Sequence, residues 1–193
     1  FTGADICHEA GLALPDSTSR PVFDDDLWDF TDVVGLPVQM ALYRRRFDFT
    51  TIDDPRWRLV VKELILALLA PNHDAVVRLP RAYRTPLHLT SCYHRLYEAG
   101  RFFGWLAQRG ITTLAALDTH LCEEYLAFRR YVIDSHGAVV GEQSPGVRRA
   151  AAQIIVDLVD YRDLFTADRV PADLRPWGGA TASAVAEMPC GRR

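Results

Sequence analysis

Apolar residues recur at helical spacing through most of this chain. After Asp54-Pro55, the residues Trp57, Val61, Leu64 and Leu68 fall three or four positions apart and define one apolar stripe. A second stripe, Leu89, Tyr93, Leu96, Phe103 and Leu106, follows Thr85-Pro86 and stops at Gly110. A third follows Asp118, with Leu121, Tyr125, Phe128 and Val132 predicted to face inward. The fourth is the most regular. Val147, Ala151, Ile154, Leu158, Tyr161 and Phe165 follow Ser144-Pro145, and Ile155 and Val159 widen the stripe, which predicts a helix buried on two sides. Asp54-Pro55, Thr85-Pro86 and Ser144-Pro145 share one chemistry: a capping side chain, then a proline whose missing N–H has no intrahelical role in the first turn. No sustained apolar–polar alternation predicts a large sheet. Residues 36–52 suit a short strand or hairpin, and Gly137 and Gly141 bracket a loop. Residues 1–20 read as a loose leader, and the small-residue-rich stretch after Pro176 as a linker with room for one helical turn.

With 193 residues, 49% of them apolar, the chain can bury a core. The longest apolar run, Leu59–Leu69, is broken by Lys62 and Glu63 and is too short to span a bilayer. Cysteines at 7, 92, 122 and 190 show no CxxC pairing; with no visible signal peptide, they predict a reducing, cytoplasmic setting. Net charge is −3, but its distribution is uneven. Residues 1–40 hold one basic and eight acidic groups (−7), residues 41–110 twelve and six (+6), and residues 111–193 nine and eleven (−2). Basic charge matters to nucleic acid when it gathers on one surface, so the middle block is the part of interest. Only Lys62 among the 22 basic residues is lysine, a bias that GC-rich coding DNA explains equally well.

Three basic constellations stand out. His88, Ser91 and Arg95 fall at i, i+3 and i+7, opposite the second apolar stripe, with Arg84 just upstream. Ser144 precedes Arg148 and Arg149 in the first turns of the fourth helix; cations there oppose the helix dipole unless an anion sits beside them. Arg44-Arg45-Arg46 lies between Tyr43 and the pair Phe47 and Phe49, an arrangement that suits nucleic acid or a solvated turn. Each constellation is also compatible with an ordinary solvated face. Cys92-x-His94 and His120-x-Cys122 do not suit a metal, because residues two apart on a helix point about 200° apart. Asp24-Asp25-Asp26 reads as an acidic helix start. No GxSxG, HExxH, Walker or GxGxxG motif gives a reason to propose an enzyme, and no cofactor is implied.

The stretch Phe102–Phe128, with FFGWLAQRGI followed by TTL and then by Tyr125-Leu126, resembles the N-terminal core-binding domain of tyrosine recombinases of the phage-integrase type. The likeness is clearest over residues 85–165, where Asp118 takes the cap position and Ser144–Phe165 the place of the next helix. It implies an all-α fold: a four-helix, SAM-like core-binding bundle in residues 81–170. A mainly helical N-terminal extension would occupy residues 1–80, with a helix at about 55–70, and a linker residues 171–193. It implies double-stranded DNA as the partner, held for integration and recombination, with self-association on the DNA and nucleoid association when bound. Arg84, His88, Ser91, Arg95, Ser144, Arg148 and Arg149 would be the DNA-facing residues. The family's catalytic arginines, lysine, histidine and tyrosine belong to a further domain, expected beyond Arg193, and no residue here takes a catalytic or metal-binding role. Two rival readings are a helical protein-interaction module using the acidic leader, and a small helical enzyme.

Overall fold

Local capping chemistry starts most of the long helices, and long-range contacts decide the rest. The structure, a computed structural model, describes residues 1–187. The leader is ordered rather than loose. Asp5 caps α1 (Ile6–Glu9) by accepting from the His8 amide at 2.9 Å, and Ile6 and Cys7 are fully buried. Asp24, Asp25 and Asp26 start no helix. Asp24 accepts from the Gly3 amide, Asp25 from the Val22 amide, and Asp26 pairs with Arg58 (2.6 Å) and the buried Lys62 (2.8 Å). These bonds turn the chain into β1 (Leu27–Asp29), which pairs antiparallel with β2 (Arg46–Asp48), the strand expected within residues 36–52. Trp28, Phe30, Phe47 and Phe49 gather behind this ribbon, fully buried. Residues 1–54 are therefore built on an aromatic cluster and short elements, ahead of the long helix expected at about 55–70.

Asp54 caps α2 (Pro55–Leu69) as expected, and the helix is buried on most sides. A short α3 (Asp74–Val77) follows. The next helix, α4 (Leu89–Gln108), starts three residues later than Thr85-Pro86 predicts, with His88 as its cap. The reason is tertiary: the Leu87 amide donates to the Leu68 carbonyl at the end of α2 (2.9 Å). Gly110, at φ +72°, ends this unit as expected. Asp118 caps α5 (Thr119–Arg130) through the Leu121 amide at 2.7 Å.

The helix does not continue to Val132. Tyr131–Ile133 forms β3, which pairs with β4 (Val139–Glu142) in an exposed hairpin whose turn holds Gly137 at φ +81°. Ser144 caps α6 (Pro145–Asp160), and α7 (Ala182–Val185) packs on α6. Residues 85–165 thus hold three long helices rather than four, and the fold is mostly helical with two small two-stranded sheets, not strictly all-α.

One apolar core runs from Ile6 to Leu174, with α4 packed against both α2 and α6. Leu96, Phe103, Tyr125, Ile154 and Leu158 lie in it as expected, while Leu121 is half-buried and Phe128 exposed. Phe103 meets Trp57 at 5.0 Å and Phe102 meets Tyr125 at 4.9 Å, so aromatic contacts bind α2, α4 and α5 together. No helix of the described residues is long and apolar enough to cross a membrane.

Candidate nucleic-acid interface

An open cleft of about 760 Å³ separates the N-terminal two-thirds of α4 from the start of α6. Helical periodicity builds its first wall: Ser91, His94, Glu98 and Arg101 are three or four residues apart, so they share a face of α4. The second wall is the capped start of α6, with Ser144, Gly146 and Arg149. Arg129, from the last turn of α5, closes the space between them.

Two buried ion pairs form the supports of this cleft. The Arg95 Nε lies 2.6 Å from Asp157 Oδ2 on α6, an ion pair without the alignment of a hydrogen bond. The other Asp157 oxygen accepts from the Gln153 amide group at 2.8 Å. Burial pushes the Asp157 carboxyl up to about 6, against the pull of Arg95 and Gln153. Glu98 takes both arms of Arg129 (2.8 and 3.0 Å) and the Tyr125 hydroxyl (2.6 Å). Arg95 and Arg129 are therefore compensated within the protein.

Arg101 and Arg149 are different. Both are exposed, and neither has a carboxylate partner among the described residues. Arg101 donates to the Tyr97 hydroxyl (2.6 Å) with its guanidinium over that ring, and Arg149 donates to the Ser183 hydroxyl (3.0 Å). His94, also on this wall, has its proton affinity lowered by partial burial and by the nearby Arg44 and Arg95. The cleft thus presents two free guanidiniums, a protonatable imidazole, and the N-terminus of a sixteen-residue helix. An oxyanion bound there would meet cations and the Gly146 amide together, since the Val147 and Arg148 amides are taken by Ser144.

The residues singled out from sequence divide into two groups. Ser91, Arg95, Ser144 and Arg149 line this one cleft, although α4 and α6 are far apart in the chain. Arg84, His88 and Arg148 do not line it. Arg84 donates to the Val76 and Leu79 carbonyls and braces the loop after α3. The His88 Nδ1 accepts from the Thr90 amide at 3.1 Å as the α4 cap. Arg148 points to the other side of α6, where Glu142 (3.0 Å) and Glu187 (3.7 Å) neutralise it. The conflict between Arg148 and the helix dipole is thus relieved by the protein itself. Sequence reasoning missed His94, Arg101 and Arg129. The first two continue the Ser91 face by helical spacing, and that signal was available. The approach of Arg129 depends on how α5 packs and was not.

Among the described residues, no group of three His, Cys, Asp or Glu side chains could hold a metal ion. Cys7, Cys92 and Cys122 are buried and free, and Cys190 lies outside the described residues. No protein-family model, curated protein or solved structure matches this chain.

Proposed function

We propose that this chain binds duplex DNA in the cleft between α4 and α6, as the core-site clamp of a tyrosine recombinase-type protein acting in DNA integration. The observation that carries this reading is the meeting of Arg101 and Arg149 across one cleft, both exposed and without carboxylate partners among the described residues. A duplex backbone supplies phosphates to such cations and to the Gly146 amide in the first turn of α6. Arg95 and Arg129 serve indirectly in this account: each ties α4 to a neighbouring helix and fixes the width of the cleft. The resemblance of Phe102–Phe128 to recombinase core-binding domains, and a SAM-like arrangement of α4, α5 and α6, belong to the same proposal.

The acidic leader gives little support to a protein-interaction role. Asp5, Asp24, Asp25, Asp26 and Asp29 are engaged by the leader's own amides or by Arg20, Arg46, Arg58 and Lys62. The test is affinity for a duplex of mixed sequence as salt is varied. Each lost phosphate contact should flatten the log–log slope by about 0.9. Arg101→Ala with Arg149→Ala should therefore reduce the slope by about 1.8. Arg109→Ala, which removes a guanidinium stacked 3.9 Å from the Trp105 ring away from the cleft, should leave it unchanged. Equal slopes for all three proteins contradict the proposal.

A further inference from the structure

A second hollow lies beside the β1–β2 ribbon. It is an open pocket of about 600 Å³ between the ribbon, the turn Leu42–Arg45 and α4, and it shares Tyr97 with the cleft. Sequence period builds its walls. Tyr93, Leu96 and Tyr97 stand at i, i+3 and i+4 on α4, so they share one face. Trp28 and Phe47 turn into the core, and strand alternation sends their neighbours Leu27, Arg46 and Asp48 to the opposite face of the ribbon, which lines the pocket. Leu42 and Tyr43 come from the turn, which packs on α4. Leucines and tyrosines thus supply most of the lining. Leu42, Tyr43 and Tyr97 are each more than half exposed, so large apolar side chains gather uncovered around one hollow. Its volume falls within the range of small-molecule sites, about 300–1,000 Å³.

The charges around this pocket favour an anion. Arg46, in the wall, pairs with Asp29 through its Nε at 3.0 Å, and its two Nη groups make no hydrogen bond among the described residues. The carboxylate in the wall, Asp48, is already engaged by the amide (2.9 Å) and hydroxyl (2.6 Å) of Thr50. Two further guanidiniums stand at the mouth, each held on an exposed tyrosine of the lining. Arg44 donates to the Tyr43 hydroxyl at 3.1 Å and lies 5.5 Å from the centre of that ring; Arg101 donates to the Tyr97 hydroxyl at 2.6 Å and lies 4.8 Å from that ring. Neither has a carboxylate partner among the described residues. The basic run Arg44-Arg45-Arg46 is thereby divided, since Arg45 is used in donating to the carbonyls of Met40, Thr31 and Pro37.

We propose that this pocket binds a small aromatic carboxylate, its ring held among Tyr43, Tyr93, Tyr97 and the leucines and its carboxylate on the free Nη groups of Arg46. Tyrosine rings offer faces and edges to a flat apolar body, and a planar guanidinium matches the two oxygens of a carboxylate. Arg44 and Arg101 add positive potential at the mouth, which favours an anion over a neutral molecule of the same shape. The site stands apart from DNA binding in the cleft, with Arg101 alone contributing to both.

The experiment is calorimetric titration of the full chain with naphthylacetate and with its neutral amide, naphthylacetamide. Wild type should bind one naphthylacetate per chain and hold the amide about tenfold more weakly or worse, the ratio expected when a hydrogen bond gains a charge. Leu42→Asp, at an exposed position, places a carboxylate in the apolar wall and should abolish binding of both probes. Arg46→Gln should keep the amide and lower naphthylacetate to the same affinity. The Arg44→Gln/Arg101→Gln double variant leaves the Asp29–Arg46 pair in place and should also narrow the gap between the probes. Arg149→Ala, in the cleft, should bind both like wild type. Thermal melts confirm that each variant is folded. Absence of naphthylacetate binding at millimolar concentration, equal wild-type affinity for the two probes, or undiminished binding by Leu42→Asp would overturn the proposal. So would a wild-type gap between the probes in both arginine variants.

Discussion

Arg95 and Asp157 meet 2.6 Å apart beneath the cleft, joining α4 to α6 with side chains that are 12% and 2% exposed. Breaking a buried pair by removing one partner leaves an uncompensated charge, which costs ~3–5 kcal/mol. Arg95→Ala should therefore destabilise the protein by that amount above neutral pH. The Asp157 carboxyl already sits near 6, above its usual 3.8, because burial disfavours its ionised form. Loss of Arg95 raises it further. A folded-state value above the unfolded one means that the deficit is full above the folded value and shrinks as pH falls through it. Urea unfolding of wild type and variant at several pH values checks this; a deficit independent of pH contradicts it.

Asp168 gives the opposite sign. Its carboxylate accepts from Trp57 Nε1 (2.9 Å), Thr113 Oγ1 (2.8 Å) and the amides of Leu114 and Arg169 (both 2.8 Å), tying the start of α2 to the loops before α5 and after α6. Burial alone would raise this carboxyl; the bonds from Leu114, Thr113, Trp57 and Arg169 outweigh it and hold the group below its usual 3.8. Its stabilising effect is present above the unfolded value and is lost as pH falls through the folded one. Asp168→Asn should cost at least ~2 kcal/mol at neutral pH, since hydrogen bonds to a charged group carry about 1.5–3 kcal/mol each. The difference between variant and wild type should narrow in acid. Thermal melts that show a constant difference from neutral pH into acid would contradict the assignment.

Phe103 is 1% exposed and packs on Trp57, so α2 and α4 share it. Phe103→Ala should cost ~3–5 kcal/mol in equilibrium unfolding. A loss below about 1 kcal/mol would mean that the α2–α4 seam is not the core that the structure describes.

Arg148 and Arg149 are neighbours in sequence with opposite fates. Arg149→Ala should flatten the salt dependence of DNA binding by about 0.9, whereas Arg148→Ala should leave it unchanged, because Arg148 is already paired with Glu142 and Glu187. Equal effects of the two variants on the slope would contradict the division of the helix start.

Local chemistry explains what could be read in advance. Asp54-Pro55, Asp118 and Ser144-Pro145 start helices because cap and first turn are adjacent in the chain, and Ile154 and Leu158 are buried because period alone places them on one face. Thr85-Pro86 carries the same local signature and starts nothing, since the Leu87 amide is taken by α2. Val132 fits both a helical stripe and a strand, and the hairpin with β4 decides for the strand. In the cleft, Ser91 and Arg95 follow from helical spacing, whereas the removal of Arg148 depends on Glu142 and Glu187, which arrive from the hairpin and from the residues after α7. Arg44 had an ambiguous reading in sequence because nothing local distinguishes it from Arg45 and Arg46; only the packing of its turn on α4 does.

Site-directed tethering distinguishes a duplex lying in the cleft from one bound elsewhere on the protein. Gly146 lines the cleft, and a Cβ there would meet only the Ser144 hydroxyl, at 3.8 Å. Gly104 lies on α4 in a separate groove, where a Cβ would meet nothing within 4 Å. With Cys190→Ser as background and Cys7, Cys92 and Cys122 buried, each glycine is replaced by cysteine and offered a duplex carrying a mixed disulfide on its backbone, so that the protein thiolate attacks the DNA-side sulfur and the small thiol leaves. The account predicts a disulfide-linked complex with Gly146→Cys and little or none with Gly104→Cys. Equal yields at the two positions, or a higher yield at Gly104→Cys, would contradict it.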